Sequence, residues 1–136
     1  MGKDGVDVSA ESLRGKVVAL YFSAHWCGPC RAFTPQLASI YAGAASAGHA
    51  LEIIFVSADR DVDAFQTYFA QQPWLAVKFS HAELRQRLNE QYGVNAVPTL
   101  IVLNADGCVL TKDGRGDIAR LGDAAIPQWL SKAASH

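Results

Sequence analysis

At 136 residues the chain is expected to form one domain, spanning 1–136. Half of it is hydrophobic, enough to bury a core without staples, and 12 basic against 13 acidic residues leave a net charge of −1. That balance argues against a phosphate-backbone partner, which needs clustered Lys and Arg, and no apolar run approaches the roughly 18 residues that span a bilayer.

The start, MGKDGVDVSAESL, is polar and lacks the apolar segment of a secretory signal. Met1-Gly2 is followed by Val6, where the myristoylation pattern wants Ser or Thr. A soluble intracellular protein is expected, cytoplasmic with the nucleus as a second compartment. VVALYFS (17–23) reads as a strand buried on both faces. From Cys27 the pattern turns helical, with apolar Phe33, Leu37, Ile40 and Tyr41, and it ends near Ala47-Gly48. Pro35 lies inside that helix and should kink it. LEIIFVS (51–57) is a second buried strand, and 61–72 is helical with Phe65, Tyr68 and Phe69 on one face. Pro73-Trp74 stops that helix, 75–79 is short and extended, and 81–92 is a third helix closed by Gly93.

TLIVL (99–103) and CVL (108–110) flank an Asp-Gly turn, the signal of a hairpin. The tail 117–134 reads as a last helix interrupted around Pro127. Strands and helices alternate and then close with an antiparallel hairpin. The expected class is α/β, a mixed sheet covered by helices on both faces.

Cys27 and Cys30, two residues apart, leave Cys108 over, so the three cysteines make no secreted disulfide framework. A structural zinc site wants four ligands, and the remaining candidates (Cys108, His25, His49, His81, His136) show no second short-spaced pair. A purely structural bridge closing so small a loop constrains the unfolded chain least. A redox pair has positive support. Cys27 falls just past a buried strand at a helix start, where unpaired N–H groups and the helix dipole favour a thiolate. Gly28 and Pro29 suit that first turn. Cys30 sits one turn in, within reach to resolve a mixed disulfide. Trp26 offers an apolar flank to a partner, or else packs at the edge of the core.

WCGPC (26–30) is the motif of the thioredoxin active site, and Val97-Pro98-Thr99 resembles the place where that family keeps a cis-proline facing the disulfide. YFSAHWC, FTPQL, EIIFVSADRD, YFA, PWLAV, YGVNAVPTLIVL and TKDGR resemble nucleoredoxins and the related tryparedoxins, over roughly residues 12 to 116. The resemblance implies a thioredoxin fold with a C-terminal hairpin and helix, and reduction of protein disulfides through Cys27 and Cys30. It implies substrate contact along Trp26, Gly28, Pro29, Val97 and Pro98, and it puts Arg115 where tryparedoxins hold an Arg near their thiol substrate. A solvated loop charge is the alternative reading of Arg115, with equal standing. The implied partners are disulfide-bearing client proteins or a peroxidase, with thioredoxin reductase, glutathione or a related thiol as electron donor. No cofactor or metal is called for, and a monomer is expected.

Two departures stand out. Gly28-Pro29 replaces the Pro-Pro usual in nucleoredoxins and tryparedoxins. Tyr21 stands where thioredoxin buries an Asp, which leaves the proton acceptor for Cys30 unassigned. The remaining motifs are weak. Gly114-Arg115-Gly116-Asp117-Ile118-Ala119 fits a dinucleotide fingerprint in spacing, but the chain ends before the βαβ unit could follow. The Arg-Gly-Asp within it reads as chance. Cys108 reads as a small packed residue. Asp59-Arg60-Asp61 reads as a solvated helix start or a substrate contact, and His25 as a neighbour able to tune Cys27. A second class of function stays open: a redox-sensing module that regulates a signalling partner and grips it through Trp26, Phe33 and Trp74.

Overall fold

The computed structural model describes residues 15–135; the polar start, with the readings made of it, lies outside them. Val17–Ser23 (β1) and Leu51–Ser57 (β2) are buried along their whole length and pair in parallel, Tyr21 opposite Phe55. Their near-continuous apolar runs are what a strand covered on both faces requires. β1 also pairs antiparallel with Thr99–Leu103, Tyr21 opposite Leu100. Two short strands finish the sheet, Leu75–Ala76 beside β2 and Val109–Thr111 beside the Thr99–Leu103 strand. Numbered along the chain these are β3, β4 (Thr99–Leu103) and β5, and the order across the sheet is β3-β2-β1-β4-β5.

Alternate residues of β1 face opposite layers. Tyr21 and Ala19 point into a core closed by α1 (Gly28–Ser46) and α2 (Val62–Phe69), and by α4 (Gly114–Leu121) and α5 (Ala125–Ser135). Leu20 and Phe22 face the other side, under Leu84 and Leu88 of α3 (Ala82–Gln91). This is the expected mixed sheet with helices on both faces.

Three local readings change. The tail is two helices, not one broken at Pro127. α4 already begins at Gly114, and the break falls at Gly122, which takes φ +56° and leads into a single 3-10 turn, Gly122–Ala124. Pro127 is the third residue of α5, where its missing N–H has no intrahelical partner to lose. The early start also puts Arg115 in a helical turn, not a loop. Cys108 is exposed and lies in the hairpin turn, and pairing resumes at Val109. The Asn104 side chain causes this, because its Oδ1 accepts both the Asp106 and Cys108 N–H at 2.9 Å and holds the turn from within. The extended stretch 75–79 pairs only at Leu75–Ala76, with the Val77 N–H still reaching the Phe55 carbonyl at 3.0 Å.

Gly114-Arg115-Gly116 has a structural use in place of the nucleotide one. A Cβ on Gly114 would lie 3.0 Å from the Leu100 side chain and carbonyl, so glycine lets α4 press against β4. Asp117 is buried, its Oδ2 accepting the Trp129 indole N–H at 2.9 Å, so the aspartate of the Arg-Gly-Asp tripeptide is not presented to solvent.

Candidate active site

Topology brings three loops to one edge of the sheet. The chain leaves β1 at Ser23 and enters α1 at Gly28, the neighbouring β2 releases residues 58–61, and Val97-Pro98 leads into β4, whose Thr99 lies opposite Phe22. In open α/β sheets such an edge is where ligands bind.

Cys27 is the N-cap of α1. Its backbone is extended (φ −94°, ψ 112°), and its Sγ accepts the Cys30 N–H at 3.2 Å. Sulfur thus does what a Ser or Asp oxygen does at other helix starts. No acid occupies the first turn of α1 to offset the positive end of its dipole. Cys27 and Cys30 are joined as a disulfide, Cα to Cα 5.2 Å, with Cys27 at 7% exposure and Cys30 at 0%. The Val97-Pro98 bond is cis, and the Val97 carbonyl oxygen lies 3.7 Å from Cys27 Sγ. In the disulfide that sulfur has no proton, so the contact becomes a hydrogen bond only in the reduced thiol.

Trp26 is 54% exposed beside the disulfide. Its indole N–H donates to the Ala58 carbonyl at 3.1 Å, and the Arg60 guanidinium lies 5.9 Å from the ring centroid. Between them Asp59 is buried, not solvated. Its carboxylate accepts the His25 backbone N–H and the Ser57 hydroxyl, both at 2.7 Å, and so ties the β2 loop to the cysteine loop. Asp61 caps α2 through the Ala64 N–H. From the opposite face Arg85 donates to the Ser57 and Phe79 carbonyls; its partial burial lowers its pKa, and the charge of Asp59 works the other way.

Behind Cys30 lies a cluster of buried hydroxyls. Thr34 Oγ1 donates to the Cys30 carbonyl at 2.9 Å and stands 2.7 Å from Tyr21 Oη and 2.6 Å from Tyr68 Oη, while Ser23 Oγ lies 2.6 Å from Tyr68 Oη. Every proton finds an acceptor when Ser23 donates to Tyr68 and both tyrosines donate to Thr34. Burial, reinforced by the Tyr68 hydroxyl, pushes the Tyr21 phenol above its ordinary range, so it stays protonated at neutral pH. Uncharged hydroxyls therefore occupy the region where thioredoxin's acid is expected. Thr34→Val keeps the shape and removes the hub, and stability should fall by about 1–3 kcal/mol in urea denaturation. A loss below about 0.5 kcal/mol would mean that the remaining hydroxyls re-pair.

Other readings sort themselves out. Phe33 is buried and Trp74 is 1% exposed, its indole bonded to Gln72, so of the three aromatics proposed to grip a partner only Trp26 reaches solvent. Gly28 and Pro29 are exposed in the first turn of α1, beside the disulfide. Arg115 is exposed and makes no hydrogen bond or ion pair with the other described residues. The His25 ring packs edge-on against Tyr68, 5.9 Å between centroids, and bonds neither cysteine. From sequence Thr34 was missed, Tyr68 was read only as part of a helix face, and Asp59 only as a solvated helix start or a substrate contact. Only Thr34 carried a signal, lying one helical turn after Cys30 on the same face.

The thioredoxin-like family model matches residues 15–109. The chain belongs to the thioredoxin-like family, in its nucleoredoxin and tryparedoxin branch. Tryparedoxin from Trypanosoma brucei superposes with a TM-score of 0.84 at 38% identity, over 91% of this chain and 86% of that one. A tryparedoxin II solved in complex with glutathionylspermidine gives 0.84 at 35% identity over the same shares. Nucleoredoxin from Bos taurus is 45% identical over 129 residues, which is 95% of this chain but 30% of the relative. The thioredoxin-like domain thus spans under a third of the length of the curated nucleoredoxins it matches.

Proposed function

We propose that this domain is a thiol-disulfide oxidoreductase that reduces protein disulfides. One observation carries the reading: a Cys27–Cys30 disulfide at the start of α1, its more exposed sulfur beside the cis-proline loop. In the reduced form the Cys27 thiolate accepts the Cys30 N–H and faces the positive end of α1, which favours the anion. It attacks one sulfur of a client disulfide, forms the mixed disulfide and expels the other client sulfur as a thiolate, which takes up a proton. Cys30 then loses its proton and attacks Cys27 Sγ, releasing the second client thiol. Two electrons pass to the client, and Cys27–Cys30 becomes the disulfide that a donor must reduce. The client strand would lie along Val97-Pro98, with Trp26, Gly28 and Pro29 as the apolar floor. Arg115 is kept as a contact for the donor thiol.

The clients are disulfide-bearing proteins or a peroxidase, met by a monomer in the cytoplasm, with the nucleus as a second compartment. No described helix is long and apolar enough to cross a membrane. Gly28-Pro29 supports a potential near the about −270 mV of thioredoxin, which suits reducing others. The donor follows from the β2 loop. Tryparedoxins resemble this chain but carry a tryptophan and an acid where Ala58 and Arg60 stand, and Arg60 would repel a polyamine-bearing thiol. Insulin-disulfide reduction at matched reducing equivalents should therefore be faster with thioredoxin reductase or glutathione than with trypanothione. Clear preference for trypanothione would show that Ala58 and Arg60 do not set the donor. The purely sensing alternative is weakened by the burial of Phe33 and Trp74.

A further inference from the structure

We infer that Arg60, whose guanidinium lies over Trp26, is a specificity-determining residue that selects disulfides and thiols carrying a carboxylate next to the reacting sulfur. The inference rests on the reductase reading and adds the chemical class of its substrates.

Arg60 leaves the end of β2 and lies over the ring of Trp26, the residue immediately before Cys27. The ring is itself held by its indole N–H, which donates to the Ala58 carbonyl. Asp59 anchors the same loop to the His25 backbone, so the guanidinium is held near the cysteine mouth by three contacts from consecutive residues. At 5.9 Å from the ring centroid the guanidinium makes a cation–π contact, which uses none of its N–H donors and leaves them free for a carboxylate. No described acid forms an ion pair with Arg60. Its two acidic neighbours are engaged elsewhere, Asp59 buried beneath the loop and Asp61 capping α2.

The surroundings add charge of the same sign. Arg31 is exposed in the first turn of α1, that turn holds no acid, and the positive end of the helix points at the mouth. Arg60, Arg31 and the start of α1 thus bring positive charge to the region of the more exposed sulfur, with the buried Asp59 carboxylate opposing it. Such local fields steer encounters more than they deepen binding, and salt screens them. An acidic group could come from a client protein or from a small thiol donor. The chemistry is shared, a carboxylate within reach of a sulfur.

The test uses matched peptide disulfides with acidic, neutral or basic residues beside the cysteine. Stopped-flow rates with the reduced protein are divided by those of dithiothreitol on the same peptides, which removes the intrinsic effect of charge on exchange. The acidic peptide should be favoured over the basic one by about three- to tenfold at low salt, falling towards unity near about 0.5 M. Arg60→Lys should keep most of that ratio, Arg60→Gln should lose most of it, and Arg60→Glu should invert it. Inversion is an effect that a merely structural role for Arg60 would not produce. A donor arm compares glutathione with its diethyl ester as reductants of the oxidised protein, and shows whether the preference extends to donors. A ratio near one in the wild type, or one that Arg60→Glu leaves in place, overturns the inference. Failure to reduce any peptide would overturn the reductase reading instead.

Discussion

Replacing Cys27 with serine should abolish disulfide reduction, while replacing Cys30 with serine should leave a protein that attacks once and stays attached. Cys27 sits at the helix start with a partly open sulfur, whereas Cys30 is fully buried one turn in and can reach only Cys27. An outside disulfide therefore meets Cys27 first. In the Cys30→Ser protein the mixed disulfide has no resolving thiol and should accumulate as a covalent client adduct, seen by non-reducing electrophoresis and mapped to Cys27 by mass spectrometry. Insulin reduction by Cys27→Ser should fall to the background rate of the donor alone. Cys108→Ser should leave turnover unchanged, because Cys108 lies in the exposed β4–β5 turn and not among the loops that meet at the disulfide. Adducts on Cys27→Ser with none on Cys30→Ser would reverse the two roles.

The largest expected effect on stability belongs to Asp117. Its carboxylate is nearly buried and accepts the indole N–H of Trp129, which is 0% exposed, while its other oxygen meets the guanidinium of Arg120. The Arg120 side chain is mostly in solvent, so that ion pair contributes little. The indole bond matters more, because it joins α4 to α5 and a buried donor without a partner is expensive. Asp117→Leu should cost about 2–3 kcal/mol and lower the melting temperature by about 10 °C. Asp117→Asn, which keeps an acceptor, should cost less than half of that. Trp129→Phe removes the donor, and a double-mutant cycle with Asp117→Leu should show a coupling of about 1–2 kcal/mol. If Asp117→Leu unfolds within about 0.5 kcal/mol of the wild type, water is satisfying the indole.

What could be read in advance divides along a physical line. β1, β2, α1 and α2 were legible because burial on two faces, or on one helical face, writes itself into consecutive residues. The cysteine pair was legible because its chemistry is local, four residues spanning one helical turn. The tail was misread because Pro127 looks like a breaker, yet a proline in the first turn of a helix breaks nothing; Gly122, with its positive φ, does. Asp59 was misread because neighbouring charges look alike in sequence, and what buries it is a backbone N–H 34 residues away. The exposure of Trp26 and the burial of Trp74 could not be told apart for the same reason. An indole is equally at home in a core or at a rim, and only the distant partners decide.

The use of a reacting sulfur as the cap of α1 sets two demands against each other at one position. Sulfur is a poorer cap than the oxygen of Ser or Asp, the residues that helix starts favour most. A drift from Cys27 to either would therefore keep the domain folded while ending its chemistry. Among descendants of this gene, well-folded copies that have lost turnover should arise by that route, and they would remain available as inert binding domains. An inactive relative with an oxygen at position 27 would thus record where selection for electron transfer was relaxed.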